Sequence, residues 1–233
     1  MHTHLAENDH DIAYTSEKFN CTPTQYVEQL DWVGEDVWHA HCVKIDEPGM
    51  SLFAKTKTSI AHCPCSNMRL SSGILPLRKL LNQGVNVGLG VDGSASNDAA
   101  HILNEARQAM LLARVSKALE SFGCNEGPSE MTPRQALTLA TKGGAKTLGR
   151  PDIGQIEKGF CADIAMFRTD TVGMAGGAIH DPIGALLLCS SQNADYTIVN
   201  GRVVVEKGEL KTLELPKLIA QHNSLAHSLA ASA

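Results

Sequence analysis

Four short clusters near the start of the chain carry side chains able to hold a metal ion or move a proton. They are His4-Leu5-Ala6-Glu7, Ala40-His41-Cys42-Val43, Ala61-His62-Cys63-Pro64 and Gly90-Val91-Asp92-Gly93. Each closes a short apolar run, and histidines and carboxylates delivered in this way fit a metal site assembled from the ends of successive parallel strands. Zinc and related ions take imidazole nitrogen and carboxylate oxygen, and a catalytic site leaves one position for water. On that pattern His4 and Asp92 are ligands. Glu7, three residues beyond His4, falls past the strand end, where it can reach a bound water without ligating the metal. One such histidine alone would pass as a satisfied core or surface residue. Four in order, each ending a β-α unit, are harder to explain as packing, because buried charge costs free energy unless it is paired or metal-bound.

The other polar candidates read as structural. His101, His222 and His227 lie on predicted helices and His10 in a charged stretch. His2 and His39 precede His4 and His41 by two residues, so strand alternation points each pair to one face. Cys63-Pro64-Cys65 is Cys-x-Cys with no His-x-Glu before it, which departs from the zinc-thiolate nucleobase deaminases. No helix N-terminus or second Cys-x-x-Cys supports a nucleophilic or redox cysteine there.

Alternating strands and helices must position these clusters. The run through Leu5 is followed by a charged stretch from Asn8 to Phe19, then by Thr22-Pro23-Thr24-Gln25, a capping box with Pro at the first helical position. Strands are predicted over Asp36 to Val43, Ser59 to Cys63 and Val85 to Val91. Helices are predicted over Asp46 to Lys55, with Met50, Phe53 and Ala54 on one face, and over Ile74 to Gln83, stopped by Gly84. Cluster-to-cluster intervals of about 20 to 40 residues match one β-α unit each, which is half of an eightfold barrel. A helix from about Asp98 to Leu119 follows, then a Gly/Pro/Ser-rich break from Gly123 to Ser129 and a second capping box at Thr132-Pro133-Arg134-Gln135 opening a helix that ends near Gly149. Beyond Pro151 the pattern is short β-rich runs, Phe160 to Phe167 and Tyr196 to Val205, with a hairpin-type Asn200-Gly201 turn. An apolar-striped helix from about Leu215 to Leu229 closes the chain.

Composition narrows the function classes. The chain has 233 residues, 43% hydrophobic and 19% charged, with a net charge of −5. Basic residues are scattered, so no electrostatic footprint for nucleic acid exists, and no apolar run reaches the ~20 residues of a membrane span. The seven cysteines, among them Cys42, Cys161 and Cys189 in apolar segments, lack framework spacing and suit buried free thiols in a reducing cytoplasm. No signal peptide precedes His2, which also points to a cytoplasmic protein.

Taken together, these motifs resemble the amidohydrolase superfamily, in its branch of aminohydrolases acting on purines, pyrimidines and triazines. The four clusters, extended to His62-Cys63-Pro64-Cys65-Ser66-Asn67 and Gly88 through Asn97, resemble that branch's fifth to eighth barrel strands. Ile153-Gly154-Gln155-Ile156-Glu157-Lys158-Gly159, Ala162-Asp163-Ile164 and Val199-Asn200-Gly201 are similar to returning strands of its small β-sandwich. The resemblance covers practically the whole chain. It implies an α/β fold: the C-terminal half of a (β/α)8 TIM-type barrel, strands 5 to 8, over residues 1–150, part of a β-sandwich over 151–212 and a C-terminal helix over 213–233.

The resemblance also implies a chemistry, hydrolysis of a C–N bond other than a peptide bond in a cyclic amidine. One divalent metal, zinc or alternatively Fe2+, activates a water; Asp92 takes its proton, His41 orients the hydroxide, and Glu7 delivers a proton to the ring nitrogen before ammonia leaves. His62, Asn67 and Ser94 are expected near the substrate. The stretches His62 to Leu70, His180-Asp181-Pro182 and Ala194 through Gly201 look most like the 8-oxoguanine deaminases, which implies 8-oxoguanine converted to urate and ammonia. An s-triazine aminohydrolase or chlorohydrolase is the alternative within the class; a catalytically inactive fragment is the alternative outside it. The family's His-x-His ligands of the first barrel strand have no counterpart, since the Leu5-Ala6-Glu7 after His2-Thr3-His4 identifies that motif with the fifth strand. The chain is thus expected to lack an N-terminal half, to bind metal weakly by itself, and to expose strand edges that promote association. The full-length parent is expected to be a homo-oligomer acting on a small purine or triazine.

Overall fold

The computed structural model describes residues 1–120, 127–189 and 193–232. Four parallel strands form the first sheet in chain order: β1 (His2–Leu5), β2 (Trp38–His41), β3 (Ser59–His62) and β4 (Val87–Leu89). The register aligns His4 with Ala40, Ala40 with Ala61 and Ala61 with Gly88. Because side chains alternate, His4 and the small residues Ala40, Ala61 and Gly88 of this row line an open face with a cavity of about 290 Å³. Leu5, Ile60 and Val87 enter the apolar core.

Parallel strands need long crossovers, and each is helical here. Asp9–Phe19 and Pro23–Gln29 join β1 to β2, Glu47–Thr56 joins β2 to β3, and Pro64–Arg69 with Leu77–Asn82 joins β3 to β4. Met50 and Phe53 are buried as predicted. The stretch read only as charged, Asn8 to Phe19, is a helix: Asn8 and Asp11 form a reciprocal capping box, and Thr15 is its one buried residue. Its helicity comes from capping and from acidic residues at its N-terminus, so apolar periodicity missed it. Both Thr-Pro-x-Gln boxes start helices, at Pro23 and Pro133.

The helix expected to run to Gly149 is broken. Pro133–Thr138 passes into a π-helical turn, Leu139–Gly143, before Gly144–Thr147. This turn lies directly on β4: a Cβ at Gly143 would stand 2.3 Å from the Val87 carbonyl oxygen. Gly143→Ala is therefore expected to force β4 and the turn apart and cost about 1–3 kcal/mol, measured as a lower Tm with an unchanged far-ultraviolet spectrum; an unchanged Tm would show that the contact relaxes freely.

The helix predicted from Asp98 begins at Ile102 and runs to Glu120, burying Leu103, Ala106, Ala109, Met110 and Ala113 on one face. The break from Gly123 to Ser129 lies largely outside the described residues; its end joins a short 3-10 turn, Gly127–Glu130. A second, antiparallel sheet follows in the order β5 (Ile164–Met166), β6 (Tyr196–Val199), β7 (Arg202–Glu206) and β8 (Glu209–Leu210). Asn200 and Gly201 turn β6 into β7 with φ of 48° and 79°, as a type I′ hairpin requires. Two short helices, Gly177–His180 and Pro182–Leu188, were not predicted. Asp181 caps the second by accepting from the Ile183 and Gly184 N–H groups. The last helix, Leu215–Ala231, buries none of its residues.

Among the described residues no helix is long and apolar enough to cross a membrane. Cys21, Cys42, Cys63, Cys65, Cys161 and Cys189 are free thiols. Only the first three are buried, so Cys161 and Cys189 depart from the expected burial.

Candidate active site

The clusters converge where the parallel strands end. Three leave their strands through non-glycine residues in the left-handed region: Ala6 at φ 49°, His41 at 68° and Cys42 at 54°, and Asp92 at 63°. Such backbone costs on the order of 1–3 kcal/mol per residue, and it serves to aim side chains. His39 lies outward, stacked on Phe53 with ring centroids 5.3 Å apart and hydrogen-bonded to the Trp32 carbonyl. His41 instead brings its ring to 5.0 Å from that of His4. The expectation that His39 and His41 share a face is thus corrected, because alternation ends where φ becomes positive. His2 lies on the inner face with His4 and stacks on Trp38 at 4.2 Å.

His4, His41 and Asp92 each offer one ligand atom, all within 4.8 Å of one another. His4 Nε2 is 3.7 Å from Asp92 Oδ1, and His41 Nε2 is 3.9 Å from Asp92 Oδ2. Those gaps exceed a hydrogen bond, whereas ligand atoms about 2.0–2.2 Å from a shared zinc stand only slightly closer together. His41 Nε2 is buried and has no hydrogen-bond partner among the described residues. On its other side Nδ1–H donates to Asn67 Oδ1 at 2.8 Å, which leaves the Nε2 lone pair free for an ion or a water. An orphaned imidazole nitrogen beside a second imidazole and a carboxylate fits a divalent metal. Asn67, expected near the substrate, is 1% exposed and supports His41 from behind.

Asp92 is held as an anion. Partial burial pushes its carboxyl up, but hydrogen bonds from Ser66 and Ser96, the Gly93 N–H and the nearby His41 together outweigh burial and bring it down to about 2. Both hydroxyls donate to Oδ2, at 2.6 and 2.9 Å, so Oδ1 is left facing His4. Ser94, expected at the substrate edge, is exposed on the turn. Ser96 is the hydroxyl that reaches Asp92, because the turn at Gly93 accepts the Ser96 N–H and folds that residue back.

Glu7 stands beside this group, its Oε2 4.0 Å from His41 Nε2. Its own N–H donates to Asp11 Oδ2 at 2.7 Å, so the cap of the Asp9–Phe19 helix fixes the backbone that carries it. Ser72 Oγ–H reaches its Oε1 at 3.4 Å.

His62 is 2% exposed and its Nδ1 has no partner among the described residues. Burial, with a smaller effect of His41, pushes it down from 6.5 to about 3. Between those values the unfolded chain binds a proton that the folded chain does not, so stability must fall as pH drops from 6.5 toward 3. His62→Gln is expected to flatten the pH dependence of denaturant midpoints in that window; an unaltered slope would assign the effect to other groups.

Cys65 sits in the first turn of Pro64–Arg69, contrary to the expectation that no helix start lies there. Its thiol is nevertheless pushed up to about 12 by burial and by Glu105, and burial raises Cys63 to about 12 as well. Neither is a thiolate, which agrees with the sequence reading. Ser66, Ser72, Ser96 and Glu105 were missed by sequence reasoning. Pro64, a first-turn proline, was the available signal for the helix that carries Ser66.

A model of the amidohydrolase family matches residues 1–204. The chain is 40% identical over 231 residues to 8-oxoguanine deaminase of Pseudomonas aeruginosa, covering 99% of this chain and 49% of that protein. To 5-methylthioadenosine/S-adenosylhomocysteine deaminase of Pelotomaculum thermopropionicum it is 36% identical over 224 residues, 95% of this chain and 49% of that one. Among solved structures, atrazine chlorohydrolase TrzN from Arthrobacter aurescens TC1, complexed with zinc, is similar with a TM-score of 0.87 and 34% identity, over 96% of this chain and 48% of that chain. The chain spans about half the length of the curated relatives it matches.

Proposed function

The chain belongs to the amidohydrolase family, and from that membership and the geometry of its strand ends we propose that it carries half of the site of a metal-dependent aminohydrolase. In this reading residues 1–150 are the C-terminal half of a (β/α)8 barrel, with β1 to β4 as its fifth to eighth strands. Residues 151–212 are sandwich strands and 213–233 the C-terminal helix. The observation that carries the reading is the His4, His41 and Asp92 group with Glu7 at 4.0 Å from His41 Nε2. The substrate is a guanine-like purine, with 8-oxoguanine favoured by the 40% identity to a deaminase of that name.

A divalent ion, zinc or ferrous iron, when bound would supply Lewis acidity that brings a water's pKa toward neutrality. His4 and Asp92 would hold it. Asp92, a ligand beside the attacking water, receives a proton from it. His41 Nε2, its tautomer set by Asn67, accepts a hydrogen bond from that water and orients it. The water oxygen bonds to the amino-bearing ring carbon while the Glu7 carboxyl gives its proton to the adjacent ring nitrogen. Asp92 then passes its proton to the amino group, the C–N bond breaks and ammonia leaves; the new hydroxyl returns a proton to Glu7, leaving a carbonyl. His62 was expected near the substrate and Ser94 at its edge, and the exposure of Ser94 makes it the weaker candidate of the two.

The similarity to atrazine chlorohydrolase favours a second reading, hydrolysis of an s-triazine. Steady-state assays on 8-oxoguanine, guanine and hydroxylated triazines separate the two, run on this chain and on a polypeptide carrying both barrel halves. Turnover of 8-oxoguanine only by the longer polypeptide is the expected result. Turnover of triazines alone would overturn the purine assignment, and a longer polypeptide inert on every substrate would overturn the aminohydrolase reading.

A further inference from the structure

Glu105 projects from the helix Ile102–Glu120 and is completely buried. Neutral groups meet its carboxylate. Oε2 accepts the Cys65 N–H at 3.0 Å, and Oε1 accepts from Asn97 Nδ2 at 2.7 Å. Both neighbours lead straight into the site. Cys65 lies in the first turn of Pro64–Arg69, and its next two residues are Ser66, bonded to Asp92, and Asn67, bonded to His41. Asn97 follows Ser96, the second hydroxyl on Asp92, and its Nδ2 also donates to the Val91 carbonyl at 2.7 Å. One carboxylate therefore joins the two backbone segments that hold Asp92 and His41.

We infer that Glu105 is a positioning residue, which sets the spacing of Asp92 and His41 across the ion site by clamping the Cys65 N–H and the Asn97 amide. The inference rests on the reading of that group as an ion site. The clamp requires an acceptor on both sides, and a carboxylate offers donors nothing but acceptors. Glutamine keeps the shape but turns an NH2 toward one of the two donors, leaving buried donors face to face. Partners behind metal ligands typically alter metal affinity 10- to 100-fold when changed.

The test uses the whole chain as wild type, Glu105→Gln and Leu80→Ala, the last removing a buried core side chain from the helix Leu77–Asn82. Zinc affinity is measured by competition with a chelator, the His41 Nδ1–H resonance by NMR, and Tm in parallel. Glu105→Gln is expected to weaken zinc binding about tenfold or more and to shift or erase the His41 resonance, while Leu80→Ala lowers Tm and leaves both. Equal behaviour of the two variants would overturn the inference, since a merely structural glutamate would act through stability alone. If this half-site takes up no zinc by itself, the resonance decides the positioning role: moved only by Glu105→Gln, it supports the clamp, and unmoved it removes it. Should Glu105→Gln fail to fold, Asn97→Ala, which cuts one arm of the clamp, is read in the same way.

Discussion

Glu7→Gln is expected to abolish deamination while leaving zinc affinity unchanged. The side chain stands outside the group of His4, His41 and Asp92, and its backbone is fixed by Asp11 independently of the carboxylate. Glutamine retains an oxygen for Ser72 and nearly the same volume, so the pocket keeps its form. On the proposed mechanism, what disappears is the ability to give and regain a proton at the ring nitrogen, a step that typically contributes ~10²- to 10⁴-fold. The measurement is turnover of 8-oxoguanine by a polypeptide carrying both barrel halves, with metal content determined on the same preparation. Loss of metal together with activity would make Glu7 a ligand and remove its role as proton shuttle.

Asp92→Asn is expected to act at the other end of the same chemistry. The amide oxygen can still accept from Ser66 and Ser96, so the loop keeps its course. The NH2 then faces His4, where an anionic oxygen stood 3.7 Å from Nε2. A donor aimed at a cation cannot ligate it, and zinc affinity should drop more than about 100-fold, beyond the range typical of outer partners. The variant also has an acid signature. A carboxyl held at about 2 instead of 3.8 adds stability that is fully present above 3.8 and is lost as pH falls through 2. Wild type should therefore lose stability across that window, and Asp92→Asn should lose less; identical acid titrations would show that the serines do not hold an anion.

Much of this arrangement is legible from residues in order. Thr22 and Thr132 start helices, each with a glutamine three positions on, because a capping box needs only neighbouring backbone and one side chain. Asn200-Gly201 turns a hairpin for an equally local reason, the positive φ its two central positions demand. His4, Glu7, His41 and Asp92 could be named because each follows an apolar run at the end of a strand. By contrast, the helix over Asp9–Phe19 hides from periodicity, and the π turn at Leu139–Gly143 appears only once Gly143 is set against the Val87 carbonyl.

By itself the sequence determined the succession of the four parallel strands, the helices opened by capping boxes and the four ends at which chemistry collects, since these follow from contacts within a few residues. Tertiary structure alone decided which faces those side chains take and what holds them there. His41 leaves the strand alternation through a φ of 68°, and Asn67 rather than a substrate contact lies behind it. Ser66 meets Asp92 across 26 positions and Glu105 meets Cys65 across 40. Hydrogen bonds of this kind depend on rotamers and on loops brought together by packing, and no local pattern encodes where a distant loop will end.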